Sequence, residues 1–236
     1  MSRRSDLDRL YDLLDRLEAN VGGKQLLKDC TGYMDWPNRG VYFFFAQDET
    51  RDSTDQLRLT RIGTHAVSTG SGTSLWNRLR THRGANSGTY EDGGNHRGSV
   101  FRKRVGEAMI ERDSLHEAYP HWGDGSSADR ELRLAELEHE RRVSEYIRRL
   151  PFLWVKIDDE PSPESDRAYV ERNVIALVSN YAKESIDNRD EGWLGKDSPR
   201  DVINQSGLWN INHVTEEYDP AFLDLLSRAI DETTLP

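Results

Sequence analysis

The segment from Leu57 to Val105 carries the residues that could bind and cut a phosphodiester. It holds nine basic residues and two acidic residues, so its net charge is +7 in a chain whose total is −10. Phosphate binding needs a local basic surface rather than a basic average. The distribution therefore indicates a nucleic-acid partner, and besides Arg61 and Arg78 it predicts seven contacts: Arg58, Arg80, Arg83, Arg97, Arg102, Lys103 and Arg104.

Three short sequence blocks, one just before this segment and two inside it, occur in an informative order along the chain. The first contains Gly40-Val41-Tyr42, the second contains Arg61-Ile62-Gly63, and the third has Arg78 followed one helical turn later by His82. The first two blocks are rich in β-forming residues and predict strands, and the third predicts a helix. In this strand–strand–helix order they resemble the core of the GIY-YIG nuclease family.

The resemblance implies roles for three side chains of these blocks. Tyr42 would act as, or next to, the general base, which requires nearby positive charge because a free phenol has a pKa of about 10. Arg78 would bind the scissile phosphate, since a guanidinium donates two parallel hydrogen bonds and stays charged. Arg80 is the rival, but the Arg-Leu-x-x-His spacing selects Arg78. His82 would help to orient the attacking water.

The family's last block is matched by residues 169–180, where an acidic residue precedes an apolar helical run. The resemblance makes Glu171 the ligand of Mg²⁺ or Mn²⁺, with Glu164 as the fallback. One such carboxylate can suffice, because Mg²⁺ usually keeps several waters. Gly40, Gly63 and Asn180 match motif positions with structural roles.

Arg61 departs from the family pattern, which has Tyr at this position of the second block. If Arg61 lies beside Tyr42, its charge would favour the phenolate and partly replace the missing Tyr. The departure also leaves a second hypothesis open, a catalytically inactive nuclease-like module that binds nucleic acid or a protein partner. An accidental match in a generic acidic protein is the third. A weaker pattern for a separate metal cluster comprises Asp113, His116, Glu117 and His121.

The elements that must position these residues predict an α+β fold. Strands are expected at 41–46, 57–63 and 152–157, which make a small three-stranded sheet flanked by helices. Helices are expected at 6–20 with Ser5 as N-cap, at 74–82, 99–111, 128–149 and 164–183, and after Pro220. We divide the chain into an N-terminal helical extension (1–38), a GIY-YIG-like core (39–183) with a helical insertion at about 107–149, and a C-terminal extension (184–236).

Composition limits the class of protein. No apolar run approaches the ~20 residues that a membrane span needs, and the N-terminus lacks the apolar region of a secretory signal. The single cysteine, Cys30, excludes an internal disulfide and a Cys-based zinc site. We therefore expect a cytoplasmic, metal-dependent endonuclease that acts on DNA rather than RNA. The terminal extensions would set target choice or homo-oligomer formation.

Overall fold

The computed structural model describes residues 2–234. Its four strands are β1 (Gln25–Leu26), β2 (Gly40–Thr50), β3 (Leu57–Gly63) and β4 (Pro151–Lys156). Its eight α-helices, counted within the described residues, are α1 (Arg3–Asn20), α2 (Leu75–Arg83), α3 (Val100–Asp113), α4 (Arg130–Ala135), α5 (Leu137–Arg149), α6 (Asp166–Val178), α7 (Asp201–Ser206) and α8 (Phe222–Asp231). Three short 3₁₀ helices lie at Leu27–Asp29, His96–Gly98 and Leu194–Asp197.

The sheet is antiparallel throughout, with the order β1-β4-β2-β3. The predicted α+β architecture is confirmed, and the structure adds one strand to the three expected. That strand is only two residues long and pairs with the start of β4, so it has no periodicity that a sequence pattern could reveal. The central strand β2 is buried from Gly40 through Ala46, as its uninterrupted aromatic and apolar run predicts.

Helices cover both faces of the sheet. On one face the rings of Tyr42 and Phe44 contact His82 of α2 and Phe101 of α3. Because side chains alternate along a strand, the residues between them point to the opposite side. There α1, α6 and α8 pack against one another and against the sheet. The site residues of β2 and β3 are therefore fixed between a rigid sheet and the α2–α3 pair.

Several predicted boundaries were wrong by a few residues. Helix α1 begins at Arg3 because the hydroxyl of Ser2, not Ser5, caps it. Strand β2, expected to end at residue 46, continues to Thr50, and its Glu49 is buried in an ion pair. The helix expected at 128–149 is two helices separated at Glu136. The helix expected at 164–183 spans only α6, with Ser165 as its N-cap.

The segment predicted as an insertion packs tightly on the core. Helix α5 contacts α2 and α3, and its buried Glu140 pairs with Arg102 of α3. Within residues 2–234, none of the helices is both apolar enough and long enough to cross a lipid bilayer.

Candidate active site

A cavity of about 270 Å³ brings together residues from five parts of the chain. Its wall is formed by strand β3 and the turn after it, helix α2, the start of helix α3, helix α6 and the segment 210–213. Four of the predicted site residues line it: Arg61, Arg78, His82 and Glu171. Tyr42, the fifth, lies directly behind His82 and is 1% exposed. Residues separated by up to 129 positions in the sequence thus converge at one site.

A buried hydrogen-bonded chain of three side chains stands behind the cavity wall. The hydroxyl of Tyr42 lies 2.8 Å from Nε2 of His82. Nδ1 of His82 lies 2.8 Å from Oγ of Ser99. The same Oγ accepts the N–H of Arg102 as the N-cap of α3. Both imidazole nitrogens are therefore engaged, and the ring is held in one orientation.

Burial shifts the pKa values of this chain in opposite directions. It raises the pKa of Tyr42, although the positive charges of Arg61 and Arg78 act to lower it. It lowers the pKa of His82 well below its ordinary value, and the neighbouring guanidinium charges of Arg78, Arg61 and Arg102 add to this effect. Tyr42 is thus a neutral phenol and His82 a neutral imidazole at pH 7.

The two motif glycines are explained by close packing at their positions. Tyr42 faces Gly63 across the β2–β3 pair, and a Cβ at Gly63 would lie 2.6 Å from Cε2 of the Tyr42 ring and nearer still to its hydroxyl. At Gly40 a Cβ would collide with the carbonyl oxygen of Val155 and lie 3.4 Å from Leu75. Both positions admit no side chain without displacement of a neighbour.

The two arginines of the cavity lack acidic partners. Among the described residues, no carboxylate lies within 4 Å of a guanidinium nitrogen of Arg78 or Arg61. Arg61 donates to the carbonyl of Trp209 at 3.3 Å and stands 5.7 Å from the centroid of Phe101. It lies opposite Phe44, on the face of the sheet that also carries Tyr42. Two positive charges that form no ion pair among the described residues therefore face the cavity.

Glu171 supplies the cavity's carboxylate. Its Oε1 accepts the backbone N–H of Thr64 at 3.1 Å, which fixes the side chain against the turn after β3. Burial raises its pKa, against the lowering effects of Arg61, that N–H, His213 and Arg78. Residues 2–234 contain no group of three or more His, Cys, Asp or Glu side chains that could form a metal cage.

Asn180 lies at the end of α6, away from the cavity. Its Oδ1 accepts from Arg3 at 3.2 Å and from the N–H of Ile186 at 3.0 Å, which agrees with a structural role. The separate metal cluster is not formed, because His116 is exposed beside Glu111 and His121 beside Asp124. Glu164 is exposed and is absent from the cavity wall.

The prediction of a broad basic surface was wrong for most of its members. Each of four arginines is buried in an ion pair with a glutamate: Arg58 with Glu49, Arg97 with Glu136, Arg102 with Glu140, and Arg104 with Glu107. Their charges are compensated inside the protein and are not available to phosphate.

Two further basic residues of that set donate to backbone carbonyls instead. Arg83 is buried and donates to Cys30, and Lys103 donates to Gly123. Arg80 is the exception, because it is exposed and has no side-chain partner among the described residues.

Ser99 and the segment 209–213 are site components that sequence patterns missed. The backbone N–H of Trp209 donates to Thr60 at 2.8 Å, and the side chain of Asn210 bonds both the N–H and the carbonyl of Ile62. This segment thereby covers the free edge of β3 and brings His213 to the cavity. Ser99 lies at the start of the helix predicted at 99–111, but its contact with His82 has no local sequence signal.

A family model described as GIY-YIG domain matches the chain over residues 1–236. Comparisons with curated proteins and with solved structures returned no match.

Proposed function

Since the chain belongs to the GIY-YIG domain family, whose members are nucleases, we propose that it is a metal-dependent endonuclease that hydrolyses phosphodiester bonds in DNA. The observation that carries the proposal is the convergence of Arg61, Arg78, His82 and Glu171 on one cavity, with Tyr42 behind it. These are the chemical types that phosphodiester hydrolysis needs: a proton acceptor, a cation for the phosphate and a carboxylate.

Arg78 binds the scissile phosphate in this proposal. Its guanidinium faces the cavity and donates no hydrogen bond to another described side chain. A planar fork of donors can bind two phosphate oxygens and stabilise the charge that develops on them during attack. Arg61 adds a second positive charge on the same side, with its orientation set by the carbonyl of Trp209.

Tyr42 accepts a proton from the attacking water in this proposal, and His82 assists. In the tautomer that this role requires, Nδ1–H of His82 donates to Oγ of Ser99, and Nε2 accepts the hydroxyl hydrogen of Tyr42. As the water O–H bond breaks, its proton moves to the phenolic oxygen while the phenolic proton moves to Nε2. The phenol thus never has to ionise fully, which matters because burial raises its pKa. One water has to reach the phenolic oxygen from the cavity.

Glu171 fits the role of ligand for Mg²⁺ or Mn²⁺. Its carboxylate is a hard oxygen donor, only Oε1 has a hydrogen-bond partner among the described residues, and no second carboxylate lines the cavity there. Such an open, one-carboxylate site suits an ion that keeps several waters. When bound, the ion would neutralise the leaving oxygen's developing charge.

Plasmid nicking in the presence of Mg²⁺ or Mn²⁺ tests the proposal. The wild type should nick, whereas Glu171→Ala and Arg78→Ala should each lose about 100-fold or more in rate, the cost typical of removing one transition-state donor. Glu145→Ala and Arg149→Ala are matched controls, since this exposed pair lies on the surface of α5. A wild type that binds DNA but does not cut it would establish the inactive binding module instead.

A further inference from the structure

A second concavity lies beside the candidate active site, between α2, the glycine-rich loop 84–98 and α4. We call it the α2–α4 groove, and its polar lining includes Arg80, Arg83, Asn86, Tyr90, Asn95 and Arg133. Its volume is about 640 Å³, larger than the cavity of the active site. No acidic side chain lines it among the described residues. In a chain with a net charge of −10, a groove of this size without a carboxylate points to an anionic ligand.

The groove and the active site share one wall. Thr81 and Gly98 line the groove, while their neighbours His82 and Val100 line the active-site cavity. A Cβ at Gly98 would lie 3.6 Å from the Thr81 methyl group, so the two segments touch there. Val100 is 46% exposed on this ridge. The two concavities are therefore adjacent, separated by residues next to one another in α2 and at the start of α3.

Two of the three guanidinium groups in the groove have neither an ion pair nor a side-chain hydrogen bond among the described residues. Arg80 and Arg133 have no carboxylate within 4 Å and no side-chain hydrogen bond among the described residues. Arg133 stacks on the ring of Tyr90 at 3.8 Å from its centroid. Stacking holds the guanidinium by its flat face and leaves its N–H edges for a ligand.

The loop that forms the groove's floor is held by its own backbone. The N–H of Ala85 donates to Gly93 at 2.8 Å and that of Asp92 to Ala85 at 3.1 Å. Gly84 makes the turn out of α2 at φ +84°. The loop's two acidic residues, Glu91 and Asp92, are exposed and neither lines the groove, and Asp92 is paired with Arg148 at 2.8 Å. The loop therefore contributes no carboxylate to the groove's lining.

We propose that the α2–α4 groove binds the nucleic-acid strand that flanks the scissile phosphodiester, with Arg80 and Arg133 each bound to a backbone phosphate. Tyr90 is a positioning residue that holds Arg133. The inference rests on the proposed nuclease function, because it uses Arg78 to fix where the cut phosphate lies.

Fluorescence anisotropy with a labelled DNA duplex in EDTA measures binding without cleavage. Arg80→Ala/Arg133→Ala should raise Kd about tenfold or more at physiological salt and reduce the slope of log K against log [salt] by about two, since two phosphate contacts are lost. The matched control is Arg16→Ala/Arg149→Ala, which removes the same charge from two exposed ion pairs elsewhere. It should leave Kd and slope close to the wild type.

Two substitutions of Tyr90 distinguish a loss of Arg133 positioning from a loss of folding. Tyr90→Phe keeps the ring and should keep wild-type Kd, whereas Tyr90→Ala should weaken binding toward the value of Arg133→Ala. Wild-type Kd and salt slope in Arg80→Ala/Arg133→Ala, with a wild type that binds and cuts DNA, would overturn the groove but leave the nuclease intact. Weakened binding by the groove variants of a protein that never cuts would support the groove and overturn the nuclease. A wild type that binds no DNA overturns both.

Discussion

Gly63→Ala is the smallest substitution that should disrupt the hydrogen-bonded chain behind the active site. The added Cβ would lie 2.6 Å from Cε2 of Tyr42 and nearer still to the hydroxyl, on the other side of a fixed β2–β3 register. The ring cannot yield freely, because Tyr42 is 1% exposed and packs edge-on against Phe44 and His82. Its hydroxyl must move away from Nε2 of His82, which is now 2.8 Å distant.

The cost follows from two separate effects. Overpacking of a well-packed core costs about 1–3 kcal/mol, and leaving a buried hydroxyl without its partner costs about 1–3 kcal/mol more. Together they give about 2–6 kcal/mol in the free energy of unfolding. If Tyr42 is the proton acceptor, its displacement should also lower the cleavage rate by about 100-fold to 10,000-fold, the range for a positioned acid or base.

Urea unfolding and plasmid nicking, each at pH 7.5 and 25 °C, measure the two effects. Gly72→Ala is the control, because Gly72 lies in a loop and a Cβ there would meet nothing within 4 Å. It should unfold and nick as the wild type does. The reasoning fails if Gly63→Ala matches Gly72→Ala in unfolding free energy. If stability falls but nicking per folded molecule does not, the packing argument stands and Tyr42 loses its catalytic role.

Three further predictions use the same kinds of measurement. Arg61→Leu should slow nicking most at low pH, because the Arg61 charge lowers the pKa of Tyr42 and also that of His82, which must stay neutral to accept the relayed proton. An unchanged pH–rate profile would contradict the hypothesis. Burial lowers the pKa of His65 and of His139 to about 4, so below about pH 6.5 the unfolded state binds more protons. The free energy of unfolding should therefore decrease as the pH is lowered, by about 3 kcal/mol for each histidine between pH 6.5 and 4. Replacing either histidine by Gln should make this pH dependence weaker in urea titrations. Glu140→Ala should cost about 3–5 kcal/mol by leaving its arginine partner buried and unpaired, and a loss below 1 kcal/mol would refute that.

The parts of the fold that sequence patterns predicted are those with strong local periodicity. Strands β2 to β4 and helix α2 each carry a run of apolar residues at strand or helix spacing, and all four occur where expected. The sequence did not predict the extension of β2 to Thr50, because a glutamate such as Glu49 is typical of an exposed loop. In the fold, Arg58 and the N–H of Asp190 bind its carboxylate. Partners supplied from elsewhere in the chain override the local preference.

The site shows the same division between local and distant information. The motif spacing brought attention to Tyr42, Arg78 and His82, which the fold does gather. Nothing near Asn210 in the sequence indicates that its amide completes the edge of β3, because the contact joins residues 148 positions apart. The sequence alone therefore did not predict that the C-terminal segment contributes to the site.

The basic segment shows why charge counting along a chain misleads about binding. Its +7 formal charge is partly neutralised by Glu49 of β2, by Glu107 in the middle of α3 and by Glu136 and Glu140 at and after the start of α5. Only Arg104 and Glu107 carried a local signal, three residues apart on one helix. The ion pairs neutralise four arginines whose side chains are buried in the fold. Arg78 and Arg80 of α2 form no ion pair among the described residues. Arg61 and Arg78 face the active-site cavity and Arg80 faces the α2–α4 groove, and none of the three has an acidic partner among the described residues. These are therefore the charges that the proposed function assigns to a phosphate backbone.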